Sequence, residues 1–351
     1  MRGQSIPIRP RRNVLSFPSP SSGREELTQQ LASRLVGQAH AIAEIVPYVQ
    51  MYRAGLGPEG RPAGVFLLLG PTGTGKTRTI EALADSLHGS EKNLVRIDCG
   101  EFQMEHEIAK LIGAPPGYLG HRETPPMLTQ QKLGAVTSEG SNLALILFDE
   151  IEKAAPSMTR LLLGVLDKAV LRLGDNTSVN FERTLIFLTS NLGASAMRKE
   201  VLPDFGFGAA THANGEGTLR KLSSIGLGAV KRKFAPEFVN RIDAMITYQP
   251  LDADALEAIL DQQIVALERH LAHRLEERAF ALELDAGARR FLLAKGTSRE
   301  YGARELKRVI LRKLTQPLAE MVEAGLIPPE CVVQVGHQGD AEQLTLSAVE
   351  N

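Results

Sequence analysis

Gly64-Val65-Phe66-Leu67-Leu68-Leu69 runs directly into Gly70-Pro71-Thr72-Gly73-Thr74-Gly75-Lys76-Thr77. An unbroken apolar run closed by glycine and proline reads as a strand buried on both faces. The residues after it fit G-x-x-x-x-G-K-[ST], and a helical pattern begins near Lys76. Strand, glycine-rich turn and helix in that order make a phosphate cradle. The glycines let the backbone curl so that its N–H groups converge, and the helix adds the positive end of its dipole. Pro71, Thr72, Gly73, Thr74 and Gly75 then form the cradle. Lys76 neutralises the β- and γ-phosphates, and Thr77 gives a hydroxyl to Mg²⁺. ATP and Mg²⁺ are the expected cofactors.

Outward from this stretch, short apolar runs alternate with helical patterns over residues 25–249. Further strands are expected at 94–98, 143–148, 184–189 and 244–248, which gives an α/β large domain with a parallel sheet covered on both faces. After Pro250 the pattern becomes a long amphipathic helix with Leu256, Ile259, Leu260, Ile264, Leu267, Leu271 and Leu275 on one stripe. A smaller α+β domain is expected over 250–351. It has a strand at 280–284, a helix from Ala286 to Gly296, a helix from Ala303 kinked at Pro317, and late strands at 331–335 and 343–347. Residues 1–24 are basic and rich in proline and serine, which reads as a disordered arm.

The run 143–148 ends in Asp149-Glu150, two carboxylates at the carboxyl end of a core strand, the edge where open α/β sheets bind ligands. Asp149 suits the Mg²⁺ shell. Glu150, one residue on, suits a base that deprotonates water, which points to hydrolysis rather than transfer to another substrate. Thr189-Ser190-Asn191 ends the next strand on the same edge, so Asn191 can reach the γ-phosphate or the water.

Composition narrows the partners. The chain has 351 residues, 43% hydrophobic and 23% charged, and nothing in it approaches ~18 uninterrupted apolar residues, so no membrane span is expected. Lys plus Arg number 40 against 41 for Asp plus Glu, so the basic field that draws a protein onto nucleic acid is missing. Cys99 and Cys331 are far apart without metal-ligand spacing and read as ordinary buried thiols of a reducing compartment. No secretory apolar segment opens the chain, which makes the cytoplasm the expected location.

With these residues placed, the chain resembles the AAA+ ATPases of the Clp class, and most of all the second ATPase module of ClpB-like disaggregases, from about residue 27 to 335. Arg34-Leu35-Val36-Gly37-Gln38 is similar to the segment whose backbone, near Leu35 and Val36, meets adenine. Arg53-Ala54-Gly55-Leu56, Asp149-Glu150-Ile151-Glu152-Lys153-Ala154 and Thr189-Ser190-Asn191-Leu192-Gly193 also match. Phe234-Ala235-Pro236-Glu237-Phe238-Val239-Asn240-Arg241 resembles the arginine-finger segment, which implies that Arg241 reaches the γ-phosphate of a neighbouring subunit. Tyr301-Gly302-Ala303-Arg304 resembles the sensor-2 motif, with Arg304 on the subunit's own nucleotide. Gly113-Ala114-Pro115-Pro116-Gly117-Tyr118-Leu119-Gly120 resembles a pore loop in which Tyr118, followed by Leu119, grips polypeptide.

The resemblance implies ATP hydrolysis coupled to unfolding, threading or remodelling of proteins by a ring, a homohexamer in the family. Alternatives are the motor of a compartmental protease, a nucleic-acid motor or loader, and a scaffold that binds ATP only to assemble. No G-x-S-x-G nucleophile motif is present, so any peptidase, like any adaptor, is a separate chain. Ile225-Gly226-Leu227 resembles a protease-docking tripeptide of ClpA and ClpX, but it falls just before the finger segment, where a helix such as Ala229 to Phe234 is more natural, so chance or packing is the better reading and docking the alternative. Phe205-Gly206-Phe207-Gly208 lies in the same irregular region.

Overall fold

The computed structural model describes residues 22–114, 125–201, 216–276, 279–297, 302–329, 331–339 and 341–349. Helices α1 (Ser22–Arg34) and α2 (Ala39–Arg53) lead into β1 (Gly64–Leu69), α3 (Lys76–His88) and β2 (Val95–Asp98). Then come α4 (Ile108–Ile112), α5 (Gln130–Ala135), β3 (Ala144–Asp149) and α6 (Pro156–Lys168), followed by a short hairpin of β4 (Val170–Arg172) and β5 (Ser178–Asn180). β6 (Thr184–Ser190), α7 (Ala194–Val201), α8 (Glu216–Lys233), α9 (Pro236–Val239) and β7 (Ala244–Thr247) complete this part.

Strands β1, β2, β3, β6 and β7 form one parallel sheet in the order β2-β3-β6-β1-β7. Strand alternation sorts its side chains to two faces. Val65, Leu67 and Leu69 join Ile146, Phe148, Ile186 and Leu188 beneath Met158 and Leu162 of α6 and Val230 of α8. Phe66 and Leu68 join Leu145, Leu147, Leu185 and Phe187 against Ile42 and Ile45 of α2 and Ile80 and Leu83 of α3. Phe66 stacks on Phe187 at 5.1 Å and meets Tyr48 edge-on at 4.9 Å. Each such side chain, fully buried, contributes about 1.5–3 kcal/mol. Burial on both faces is why β1, β3 and β6 read as unbroken apolar runs rather than alternating ones.

Register then places the chemistry. Leu69 lies beside Ser190, and Phe148 beside Leu188. Asp149, which ends β3, and the residues that follow the three strands, Gly70, Asn191 and Glu150, therefore lie at one edge of the sheet, next to one another.

The remaining elements are α10 (Ala253–Leu275), β8 (Ala281–Leu284), α11 (Ala286–Gly296), α12 (Ala303–Ile310), α13 (Gln316–Glu323), β9 (Val332–Gly336) and β10 (Thr345–Val349). Asp252 caps α10 by accepting from Ala255 N at 2.8 Å, and Asp285 caps α11 from Ala288 N at 2.6 Å. A sheet in the order β10-β9-β8 closes over Leu260, Phe291, Leu292, Leu306 and Leu314, a core separate from the other two. Pro317 behaves differently from a simple kink. The chain widens to a π-helical turn over Leu311–Thr315, and Pro317 sits in the first turn of α13. A proline ring clashes with the carbonyl four residues back, and the wider turn ahead of it relieves that clash.

Helices α11 and α12 meet at Gly296, where an added Cβ would lie 2.9 Å from Leu306 Cα and 2.6 Å from its Cδ1. Gly296→Ala is expected to lower stability by about 1–3 kcal/mol, the range for overpacking. Urea unfolding followed by circular dichroism measures this; an unchanged midpoint would mean that the two helices separate without loss.

Candidate nucleotide site

At the end of β1 the chain turns over Tyr248, whose N–H donates to Leu69 O at 2.7 Å. Gly70 has φ 145° there, and a Cβ would meet Tyr248 O at 2.7 Å, so only glycine fits. Gly73 and Gly75 also take positive φ, 78° and 104°, and α3 starts at the next residue. Backbone of this shape turns successive N–H groups into one concavity at a helix N-terminus, which suits an anion.

Lys76 opens α3 and is only 8% exposed. Its ammonium donates to Gly70 O at 2.6 Å, Pro71 O at 2.9 Å and Asn191 Oδ1 at 2.9 Å. Burial lowers its pKa to about 8; Glu152, Asp149 and Glu150 oppose that shift, and Arg304 adds to it. The lysine is thus a desolvated cation among carboxylates, and the guanidinium of Arg304 acts on the same spot.

Asp149 ends β3 with both oxygens engaged. Oδ1 accepts from Thr189 Oγ1 and Oδ2 from Arg96 Nη2, each at 2.5 Å. Glu150 has φ 56°, a left-handed conformation that costs on the order of 1 kcal/mol in a residue with a Cβ. Its N–H donates to Thr189 Oγ1 at 3.0 Å, Oε1 accepts from Asn191 Nδ2 at 3.0 Å, and Oε2 lies 2.5 Å from Lys153 Nζ. The Asn191 N–H donates to Glu152 Oε1 at 2.9 Å. Asn191 thus bridges the P-loop lysine and the carboxylate of Glu150 through the two ends of one amide.

These groups surround a cavity of about 440 Å³. Its walls include Leu35 and Val36, the P-loop from Thr72 to Thr77, Asp149, Glu150 and Asn191, with Leu251, Ile259 and Arg304 on the opposite side. Pro71 lies behind the loop, its carbonyl turned to Lys76 and to Thr74 Oγ1. Ala303 N donates to Gly73 O at 3.2 Å, which brings Arg304 to the loop. Thr77 and Asp149 present oxygen ligands in the same cavity, the donor type Mg²⁺ takes when phosphates supply the rest of its shell.

Arg241 is not among the cavity residues. It follows α9, and its Nε lies 3.1 Å from Asp167 Oδ1 without the alignment of a hydrogen bond. Tyr118, Leu119 and Phe205-Gly206-Phe207-Gly208 fall outside the described residues. Ile225-Gly226-Leu227 lies within α8, with Gly226 buried against Leu69 and Met197 and Ile225 packed on Gly193, so the tripeptide is helix packing and not a free loop. Cys99 is buried; desolvation first, and Asp149 second, push its thiol pKa up.

Arg96, Lys153 and Thr189 join the site without having been singled out, and Gln38 lies behind it, bonded to the Thr74 carbonyl. Arg96 could have been found: it is a cation on the solvent side of a short strand whose neighbour in the sheet ends in Asp149.

A lysine whose folded pKa lies near 8, below its unfolded value near 10.4, binds fewer protons folded than unfolded between those limits. Stability of the nucleotide-free protein should therefore rise relative to Lys76→Met as pH goes from 8 to 10, and show no such difference in slope below 7. Denaturant midpoints of the two proteins across that range measure it; parallel curves would mean that Lys76 is well solvated.

Two family models match the chain. Residues 61–245 match the AAA domain (Cdc48 subfamily), and residues 251–335 match the C-terminal, D2-small domain of ClpB protein. The "Chaperone protein ClpB" of Rhodopseudomonas palustris is 40% identical over 316 residues, which is 89% of this chain and 33% of that protein. That of Meiothermus ruber is 39% identical over 313 residues, 88% of this chain and 34% of the relative. The chain thus spans about a third of the length of the curated relatives it matches. A cryo-EM structure described as the closed state of Hsp104 with ATPγS and FITC casein superposes with TM-score 0.75 at 27% identity, covering 93% of this chain and 52% of that one. The family models and the superposition agree, and the chain belongs to the AAA domain (Cdc48 subfamily) family, built like the C-terminal ATPase module of ClpB.

Proposed function

We propose that this chain hydrolyses ATP and uses the energy to unfold, thread or remodel protein substrates in a ring-shaped oligomer, a homohexamer. One observation carries the reading: Lys76, Asp149, Glu150, Asn191 and Arg304 converge on a single cavity while Arg241 stays outside it. A phosphate-binding loop beside a carboxylate pair supplies binding and a base, and the missing cation is then supplied by a neighbour.

Leu35 and Val36 face the adenine, and the P-loop N–H groups with Lys76 hold the phosphates. Thr77 and Asp149 hold Mg²⁺, which when bound neutralises phosphate charge. Glu150 takes the proton of the attacking water, and Asn191 orients both. Arg304 reports the nucleotide to its own small domain, and Arg241 completes the site of the adjacent subunit. Tyr118 and Leu119 grip polypeptide in the channel. The ATPase unit spans residues 25–249 and its lid 250–351. The likeness to ClpB and to the Hsp104 complex supports a polypeptide substrate. The place of action in this reading is the cytoplasm. Among the described residues no helix is long and apolar enough to cross a membrane.

ATPase turnover against protein concentration, with and without an unfolded polypeptide, tests this reading. A steep concentration dependence and stimulation by polypeptide are expected; activity indifferent to both would remove the ring motor. Glu150→Gln should bind ATP and assemble, with kcat lower by about 10²–10⁴, the usual contribution of a general base. Arg241→Ala should lose about 10³–10⁵ in kcat. Mixing these two variants should restore part of the activity, because the intact finger of one then serves the intact base of the other; no recovery would place Arg241 outside the reaction. Tyr118→Ala should keep ATPase activity and fail to unfold a folded protein, and normal unfolding by it would end the pore-loop assignment.

A further inference from the structure

Gln38 follows Leu35 and Val36 of the cavity wall and has no exposed surface. Its amide joins two segments remote in sequence. Nε2 donates to Thr74 O in the P-loop at 3.2 Å and to Gln249 O at 2.9 Å, and Oε1 accepts from Gln249 N at 3.4 Å. Two carbonyls on one side and an N–H on the other admit one orientation of the amide. Gln249 is thus paired through both of its backbone groups, much as a strand partner would pair it.

Its place in the chain gives this pairing a consequence. Gln249 lies just beyond β7, and Pro250, without an N–H, follows it. Leu251 then enters the cavity and Asp252 caps α10. Gly37, with φ 74°, sits close enough that a Cβ would touch Leu251 and Ala255 at 3.4 Å. The P-loop therefore reaches the small domain along two lines from consecutive carbonyls: Gly73 O accepts from Ala303 N, and Thr74 O accepts from Gln38.

We propose that Gln38 is a positioning residue that ties the P-loop to the connector at Gln249, so that phosphates settling on the loop set the angle of the small domain. The proposal rests on the nucleotide reading of the same cavity. Lys76 donates to the Gly70 and Pro71 carbonyls, so a movement of its ammonium onto a phosphate would act on the curl of the loop. Gln38 is packed on every side, so a shift of the Thr74 carbonyl is passed on; absorbing it would leave a buried carbonyl unpaired. His40 Nε2, 2.8 Å from Thr247 O, ties the end of β7 without touching the P-loop and serves as the comparison.

The test places spin labels at the exposed positions Lys92→Cys and Glu323→Cys, the native Cys99 and Cys331 being buried, and reads the interdomain distance with and without ATPγS. The parent protein and His40→Phe should bind ATPγS and shift their distance distribution. Gln38→Met, of similar volume and without the hydrogen bonds, should bind ATPγS within about tenfold of the parent and show no shift. Hydrogen exchange of the unlabelled parent covers the case in which Gln38→Met fails to fold: ATPγS should change protection at the Gln249 and Leu251 amides. A shift in Gln38→Met equal to the parent's, or unchanged protection at those amides, overturns the proposal and leaves the nucleotide reading standing; a parent protein that does not bind ATPγS overturns both.

Discussion

Lys76 carries a buried positive charge, and the rest of the site is organised around holding it. An ammonium removed from water is stable only with hydrogen-bond acceptors in reach, each charge-assisted bond worth about 1.5–3 kcal/mol. Gly70 O and Pro71 O are available because the loop curls back over Tyr248, and Asn191 Oδ1 is available because β6 lies next to β1. The curl depends on Gly70, where backbone crowding leaves no room for a Cβ. Carboxylates of Glu152, Asp149 and Glu150 stand near enough to oppose the loss of the proton. Removing any of these supports leaves a charge that the interior does not tolerate.

The same constraint ties the phosphate loop to the sheet edge that carries Glu150. Asn191 spends its carbonyl oxygen on Lys76 and its amide N–H on Glu150. A phosphate that draws Lys76 away removes one of the two bonds that orient this amide. Glu150 starts from a left-handed backbone held by the Thr189 hydroxyl and from a side chain bound to Lys153. In the proposed reaction the base is therefore oriented by Asn191 and Lys153 together.

What the sequence discloses of this arrangement follows from how local each feature is. β1, the P-loop and the start of α3 are contiguous, and apolar run, glycines and Lys76 all point the same way. Asp149-Glu150 and Asn191 were legible because strands buried on both faces are plain in a sequence and because their carboxyl ends share one edge. Gln38 was named only as part of a matching segment, since its partner Gln249 lies 211 positions away and an amide has no periodic signature. The hairpin of β4 and β5 was hidden by strands only three residues long. α8 was foreseen only at its end: Ser223, Ser224, Gly226 and Gly228 are poor helix formers, and packing of Leu222 and Val230 outweighs their propensity. At Gly226 the weak helix former is what permits contact with Leu69 at the root of the P-loop.

The position of Arg241 bears on how subunits would communicate. Its segment is fixed by packing of Phe234 against Phe238 at 5.3 Å and of Phe238 into the core shared with α6, so Arg241 is carried on the body of the large domain rather than on a free loop. Asp167, its present partner, belongs to α6, and the pair is about 40% exposed. An exposed ion pair contributes little, about 0–1 kcal/mol, and gives way readily to a phosphate presented by a neighbour. The arginine is then available at small cost while its backbone stays put. In the proposed ring, a rigid carrier would make the distance from Arg241 to a neighbour's phosphate a function of how two subunits are docked, so that the turnover of one site would read the geometry of the interface beside it.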